Sequence, residues 1–327
     1  MSHCCPTEFS LKDLYQSTEM LLAARPDAVA AYRLQRDVLR LDETAPEMQR
    51  LRAAARQSGW VRQVEATQLE DGSWGRFHTQ DSRINPVFRT SEEALHRALA
   101  LGLDIHDEVL QRAEAYILQV MNGEITISDP PEKNDRVPLG IQLMTGGWLA
   151  RLDSGHPEME RHWRYWFDVA RRAFASGRYS QTDEETAYPT LSGVKVPKGF
   201  LRSQYALWML AARPLPADLD AEVTNWIWNR PDGIYYMGVC LNDWQQEQAS
   251  IWFRSMDLLS GFSSWREVAM PALNKLWRQR DESGRWNFGP QLAHCAEFPL
   301  SENWRTRARR QTDFSARVLG LLRKVFD

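Results

Sequence analysis

The chain has 327 residues, 43% of them hydrophobic and 25% charged, with 40 basic against 43 acidic side chains and a net charge of −3. That balance leaves no basic field to hold nucleic acid or an anionic membrane. The best apolar run, Tyr205 to Ala212, falls far short of the ~20 residues that cross a bilayer. The opening Met1-Ser2-His3-Cys4-Cys5-Pro6 has neither the basic nor the apolar region of a secretory signal, and four Cys do not make a disulfide framework. A soluble, cytoplasmic protein with a large core is expected, residues 1–10 forming a flexible tail and 11–327 one domain.

In chain order, helical periodicity first appears over residues 11–24 and 27–41, split at Arg25-Pro26. Five further pairs follow: 47–69 with 91–103, 107–121 with 139–152, 157–176 with 200–213, 218–228 with 244–262, and 265–280 with 313–325. Thr90 before Ser91-Glu92-Glu93 reads as a capping box, and Thr312-Asp313 opens the last helix. Within each of the five pairs lies a Gly-x-aromatic or Gly-x-aliphatic turn: Gly72-Ser73-Trp74, Gly123-Glu124-Ile125, Gly177-Arg178-Tyr179, Gly233-Ile234-Tyr235 and Gly284-Arg285-Trp286. The glycines are spaced by 51, 54, 56 and 51 residues, so the chain is built from a repeat. No β-type alternation competes. Six hairpins of this size, with the second helix of each pair the more apolar, predict an all-α fold, an (α/α)6 toroid with inner and outer helix rings.

Connections that follow the Gly-x-aromatic turns are long, and those between hairpins are short. In a closed toroid all the long loops lie at one end, and long loops in compact domains are usually functional. Any site is therefore expected there, at the N-termini of the inner helices.

The segment Gln68-Leu69-Glu70-Asp71-Gly72-Ser73-Trp74-Gly75 closely resembles the QW motif of the terpenoid cyclase and protein prenyltransferase superfamily, as in squalene–hopene cyclases. The segments 280–286 and 231–235 look like degenerate copies. The resemblance implies a toroid in which Gln and Trp staple neighbouring helices. Thr182-Asp183-Glu184-Glu185-Thr186-Ala187, read as part of the loop after the third turn, is similar to the Asp-x-Asp-Asp-Thr-Ala motif of protonation-initiated cyclases. The likeness implies Glu184 as proton donor beside Asp183 and Glu185, since clustered acids raise one another's pKa. Prenyltransferase β-subunits hold zinc through Asp, Cys and His. The nearest counterpart here is Cys240 with His294 and Cys295, without the usual metal-ligand spacing. No cofactor is expected.

Two other readings stay open. Carboxylates across an aromatic-lined mouth, such as Asp81, Asp135 and Glu184, also describe an α/α-barrel glycoside hydrolase. His78, Tyr188 and Arg89 would suit a polysaccharide lyase, which uses a His or Tyr base. Trp148, Tyr205, Trp208, Trp244 and Trp252 on the inner helices are either core or the wall of a ligand cavity. The expected ligand is a small molecule, apolar or carbohydrate. A toroid that binds or scaffolds without catalysis is the third possibility. No phosphate-cradling loop, dinucleotide fingerprint, nucleophile elbow or H-E-x-x-H is present.

Overall fold

The computed structural model describes residues 6–130, 137–196 and 199–327. Among these the fold is all-α, with fourteen α-helices and no β-strand. The first pair is α1 (Leu11–Ala23) and α2 (Ala28–Arg33), which runs on as the π-turn Leu34–Val38. Helices α3 (Pro46–Arg56) and α4 (Gly59–Ala66) precede α5 (Ser91–Ala100), and α6 (Glu108–Met121) precedes α7 (Val137–Leu152). Then come α8 (Met159–Ala173), α9 (Gln181–Ser192) and α10 (Gln204–Ala211). The last two pairs are α11 (Ala217–Trp228) with α12 (Ala249–Leu259), and α13 (Trp265–Arg278) with α14 (Arg307–Arg323). No helix among the described residues is long and apolar enough to cross a membrane.

Three elements differ from the sequence reading. The last helix opens at Arg307 after Thr306, and Thr312, read as its start, lies inside it with its hydroxyl donating to Ala308 O. The stretch 47–69 is broken after α3, because the Ser58 hydroxyl accepts the Val61 N–H and starts a new helix, α4. The stretch 181–192, read as loop, is helix α9. The Ser180 hydroxyl caps it by accepting from Asp183 N–H, and Asp183 and Glu184 place negative charge in its first turn. Pro189 looks like a helix breaker in the sequence. Here the helix runs past it and ends at Gly193, which adopts φ +75°.

Two of the repeat turns are built alike. Leu69 N–H donates to Ser73 O, and Asp281 N–H donates to Arg285 O, each at 2.8 Å. The Trp74 indole N–H reaches back ten residues to Val64 O at 2.9 Å, and that of Trp286 reaches back ten to Leu276 O at 2.7 Å. Their backbone N–H groups donate to Ser91 and Ser315 on the helix that follows. Gln68 donates at 2.8 Å both to Gly72 O and to Val109 O of the next hairpin. Each Trp thus ties the helix before its turn to the helix after it, and Gln68 ties one hairpin to the next.

Gly72 has φ +89°, and a Cβ there would collide with the backbone carbonyl of Arg112. Gly123 also has positive φ, but nothing lies within 4 Å of its notional Cβ. Gly72→Ala is therefore expected to cost about 2 kcal/mol or more, and Gly123→Ala only about 1 kcal/mol. Thermal melts of the two variants check this: equal shifts would show that the Arg112 contact carries no weight.

The buried side chains, from Phe9 to Val325, form one continuous cluster. Phe9, in the segment expected to be a flexible tail, is buried with its ring 5.4 Å from Trp277. Glu8 pairs with Arg278. The second helices other than α5 are neighbours in space: α7 packs on α10, α10 on α12, α12 on α14, and α14 on α2 and its π-turn. The second hairpin also reaches the last, where the Trp60 indole donates to Ser301 O at 3.1 Å.

Candidate functional site

Three long loops converge over the N-terminal ends of α5 and α10. The first is held by Asp129, whose carboxylate accepts the backbone N–H groups of Phe77 (2.6 Å), His78 (2.9 Å) and Thr79. Ser128 adds a hydroxyl bond to Gly75 O at 3.0 Å. The loop backbone is thereby fixed where the His78 ring leaves it.

At the start of α5 two glutamates divide the work. The Thr90 hydroxyl caps the helix by accepting the Glu93 N–H, and the Glu93 carboxylate accepts the Arg89 N–H instead of the Thr90 N–H that the expected capping box would use. Glu92, one position earlier, points inward and is buried. Its Oε1 accepts from the Trp148 indole and the Tyr205 hydroxyl, both at 2.7 Å, and its Oε2 lies 2.5 Å from His78 Nδ1. The Tyr205 oxygen is also 3.1 Å from His78 Nδ1. Burial first, and then the Glu92 charge, hold the Tyr205 phenol far above its ordinary pKa, so it stays a donor. A carboxylate only accepts, so we assign a proton to Nδ1.

His78 keeps 41% of its side-chain surface exposed. Tyr236, from a third long loop, lies 5.8 Å from it centroid to centroid and is 66% exposed. Its φ of +70° is unusual for an aromatic residue. The loop is pinned beneath it: Tyr235 N–H donates to Arg202 O at 2.8 Å, and the Arg202 guanidinium sits 4.6 Å from the Tyr235 ring centroid. An oriented imidazole next to an exposed aromatic face can exchange a proton with a flat or ring-shaped polar ligand stacked there.

Of the residues singled out from the sequence, His78, Tyr205 and Trp148 belong to this cluster. Trp208 lies beneath it, 5.0 Å from Trp148. Trp244 stacks on Trp252 at 4.5 Å, and the Trp252 indole donates to Leu241 O, so this pair is core. Glu184 is fully buried on α9, and protein donors occupy its carboxylate. Tyr179 O–H at 2.6 Å, Leu201 N–H at 2.9 Å, Tyr188 O–H and Phe200 N–H all donate to it. Burial and then the Glu184 charge push both phenols up, which keeps them protonated as donors. Asp183 is exposed on the helix surface, and Glu185 accepts from Gln181 at 2.7 Å.

Asp81 is bound by Arg83 and Arg76 within its own loop, and the side-chain bond from Arg83 holds its pKa well below the ordinary range. Arg89 is exposed and touches Gln80. Asp135 lies outside the described residues. Among the described residues no three His, Cys, Asp or Glu side chains are grouped to hold a metal. Cys240 bonds Asn242, and burial pushes the Cys295 thiol up to about 11.

The sequence reading overlooks Glu92 and Tyr236. The signal for Glu92 is that a capping box needs only its fourth residue, Glu93, so the second Glu of the pair is left to face inward. In comparisons with known proteins, no family model, no curated protein and no solved structure matches this chain.

Proposed function

We propose that the six hairpins close as an (α/α)6 toroid whose long-loop end carries an acid–base site acting on a carbohydrate ligand. The packing of α14 on α2, the Trp60–Ser301 bond and the even repeat spacing support closure. The observation that carries the chemistry is the His78 ring held by Glu92 and Tyr205 beside exposed Tyr236. His78 Nε2 takes the proton α to the uronate carboxyl, the bond from the β-carbon to the glycosidic oxygen breaks as the C=C forms, and the imidazolium, stabilised by Glu92, returns the proton to the leaving oxygen while Tyr236 supplies the stacking face. A His base next to a Tyr matches proton abstraction and β-elimination at a uronate better than glycoside hydrolysis. Hydrolysis requires two carboxylates with access to the scissile bond, and Glu92 and Asp129 are both engaged by protein donors. The likeness to terpenoid cyclases lends weight to the architecture. It lends less to an acid-initiated cyclisation, because the Glu184 oxygens are taken.

The test is incubation with uronate-containing and neutral polysaccharides, followed by ultraviolet absorbance for unsaturated ends and by a reducing-end assay. Unsaturated ends are expected from at least one uronate polymer. They should be lost in His78→Asn at unchanged Tm, and KM should rise about 5- to 20-fold in Tyr236→Ala, the worth of one stacking contact. Failure of every polymer to react, or full activity in His78→Asn, overturns the reading.

A further inference from the structure

The C-terminal ends of the second helices surround a cavity of about 60 Å³. Arg33, Arg151, Arg254 and Arg317 line it, against only Asp257 and Glu297. Most of these charges are matched. Arg317 and Lys324 pair with Asp257, Arg254 pairs with Glu297 at 2.8 Å, and Arg33 pairs with Asp37 while also donating to the last carbonyls of α5. Arg151 makes no hydrogen bond or ion pair with any described residue. Arg317, Arg33 and Arg254 line the same cavity, so Arg151 faces like charges there. His96, which also lines the cavity, adds no charge. Burial and then the nearby Arg254 and Arg151 push it well below its ordinary pKa, so it is neutral.

Arg151 is exposed to solvent, and the four guanidinium groups outnumber the two carboxylates that line the cavity, so their field attracts an anion there. We infer that this cavity is a binding site for a small oxyanion bearing phosphate or carboxylate groups, with Arg151 as its principal ligand and Arg254 and Arg317 alongside. Guanidinium forks match both groups in geometry. The site lies at the far end of the same helices whose N-termini carry Glu92 and Tyr205. His96, Trp148 and Trp208 pack between the two places, with ring centroids 4.7 to 5.7 Å apart. It is therefore separate from the His78 cluster, and it stands whether or not the carbohydrate reading does.

Calorimetric titration with inorganic phosphate, pyrophosphate and citrate tests this, together with thermal melts in the same anions and in NaCl of equal ionic strength. Saturation with at least one oxyanion is expected, with a Tm rise of about 5 °C or more at a large excess over Kd. Arg151→Gln should weaken that binding at least about tenfold, the value of one charge-assisted contact, and Arg151→Lys should weaken it less. The Gln variant should also melt at or above the ligand-free wild type, because it relieves repulsion and orphans no carboxylate. A Tm rise no larger than in NaCl, or undiminished binding by Arg151→Gln, overturns the inference. Preference for phosphate or for citrate identifies which group the arginines take.

Discussion

Replacing Glu92 by Gln is expected to reduce kcat about 10²- to 10⁴-fold with little change in KM, once a substrate is in hand. The carboxylate makes three side-chain contacts at once: it accepts from Trp148 and Tyr205 on one oxygen and faces His78 Nδ1 with the other. An amide of the same shape keeps the packing. It removes the charge that stabilises the imidazolium, and it offers an N–H where His78 needs an acceptor, which favours the wrong tautomer. Glu92 touches no substrate in this arrangement, so it is a positioning residue. A purely structural role would lower Tm and leave kcat alone below the transition. The variants Glu92→Gln and Glu92→Asp, assayed for kcat and KM separately and melted in parallel, distinguish the two. Full kcat in the Gln variant would dismiss the His78 cluster as the catalytic centre.

The largest stability effect is expected at Glu184. Substitution by Leu removes the acceptor for two backbone N–H groups and two phenols in a buried setting, at a cost of about 3–5 kcal/mol. In a chain of this size the melting temperature should fall by about 4–7 °C. Glu184→Gln retains one acceptor oxygen, so its loss should be roughly half as large. Activity measured well below the transition should survive Glu184→Gln within a few-fold. If the Gln variant instead melts like the wild type and is inactive, Glu184 is a proton donor after all, and the site belongs at α9 rather than at His78.

Glu184 also shows where sequence and structure part. Acids clustered beside a Thr-Ala dipeptide look the same on paper whether they face a substrate or a turn. Only folding reveals that the segment following α9 brings two backbone N–H groups back onto Glu184, and that Tyr188 one turn along donates to the same carboxylate. The converse holds for Glu92. In the linear chain it is part of a helix cap. It becomes the centre of a cluster because α7 and α10, more than 50 and 100 residues away, deliver Trp148 and Tyr205 to it. Tyr236 could be seen only as one aromatic residue in a loop.

The sequence by itself determined the local order of this protein. Period, caps and the recurring Gly-x-aromatic turns act over ten residues or so, and they fix that the chain is helical, where most helices lie, and which loops are long. It could not determine which polar side chains share a space, since that depends on contacts between residues distant in the chain. The tertiary structure decided that His78, Glu92 and Tyr205 meet, that Glu184 is an internal tie, and that Arg151 stands in a cavity without a partner. Helix formation depends on neighbours along the chain, whereas the pairing of a charge depends on what packing brings beside it.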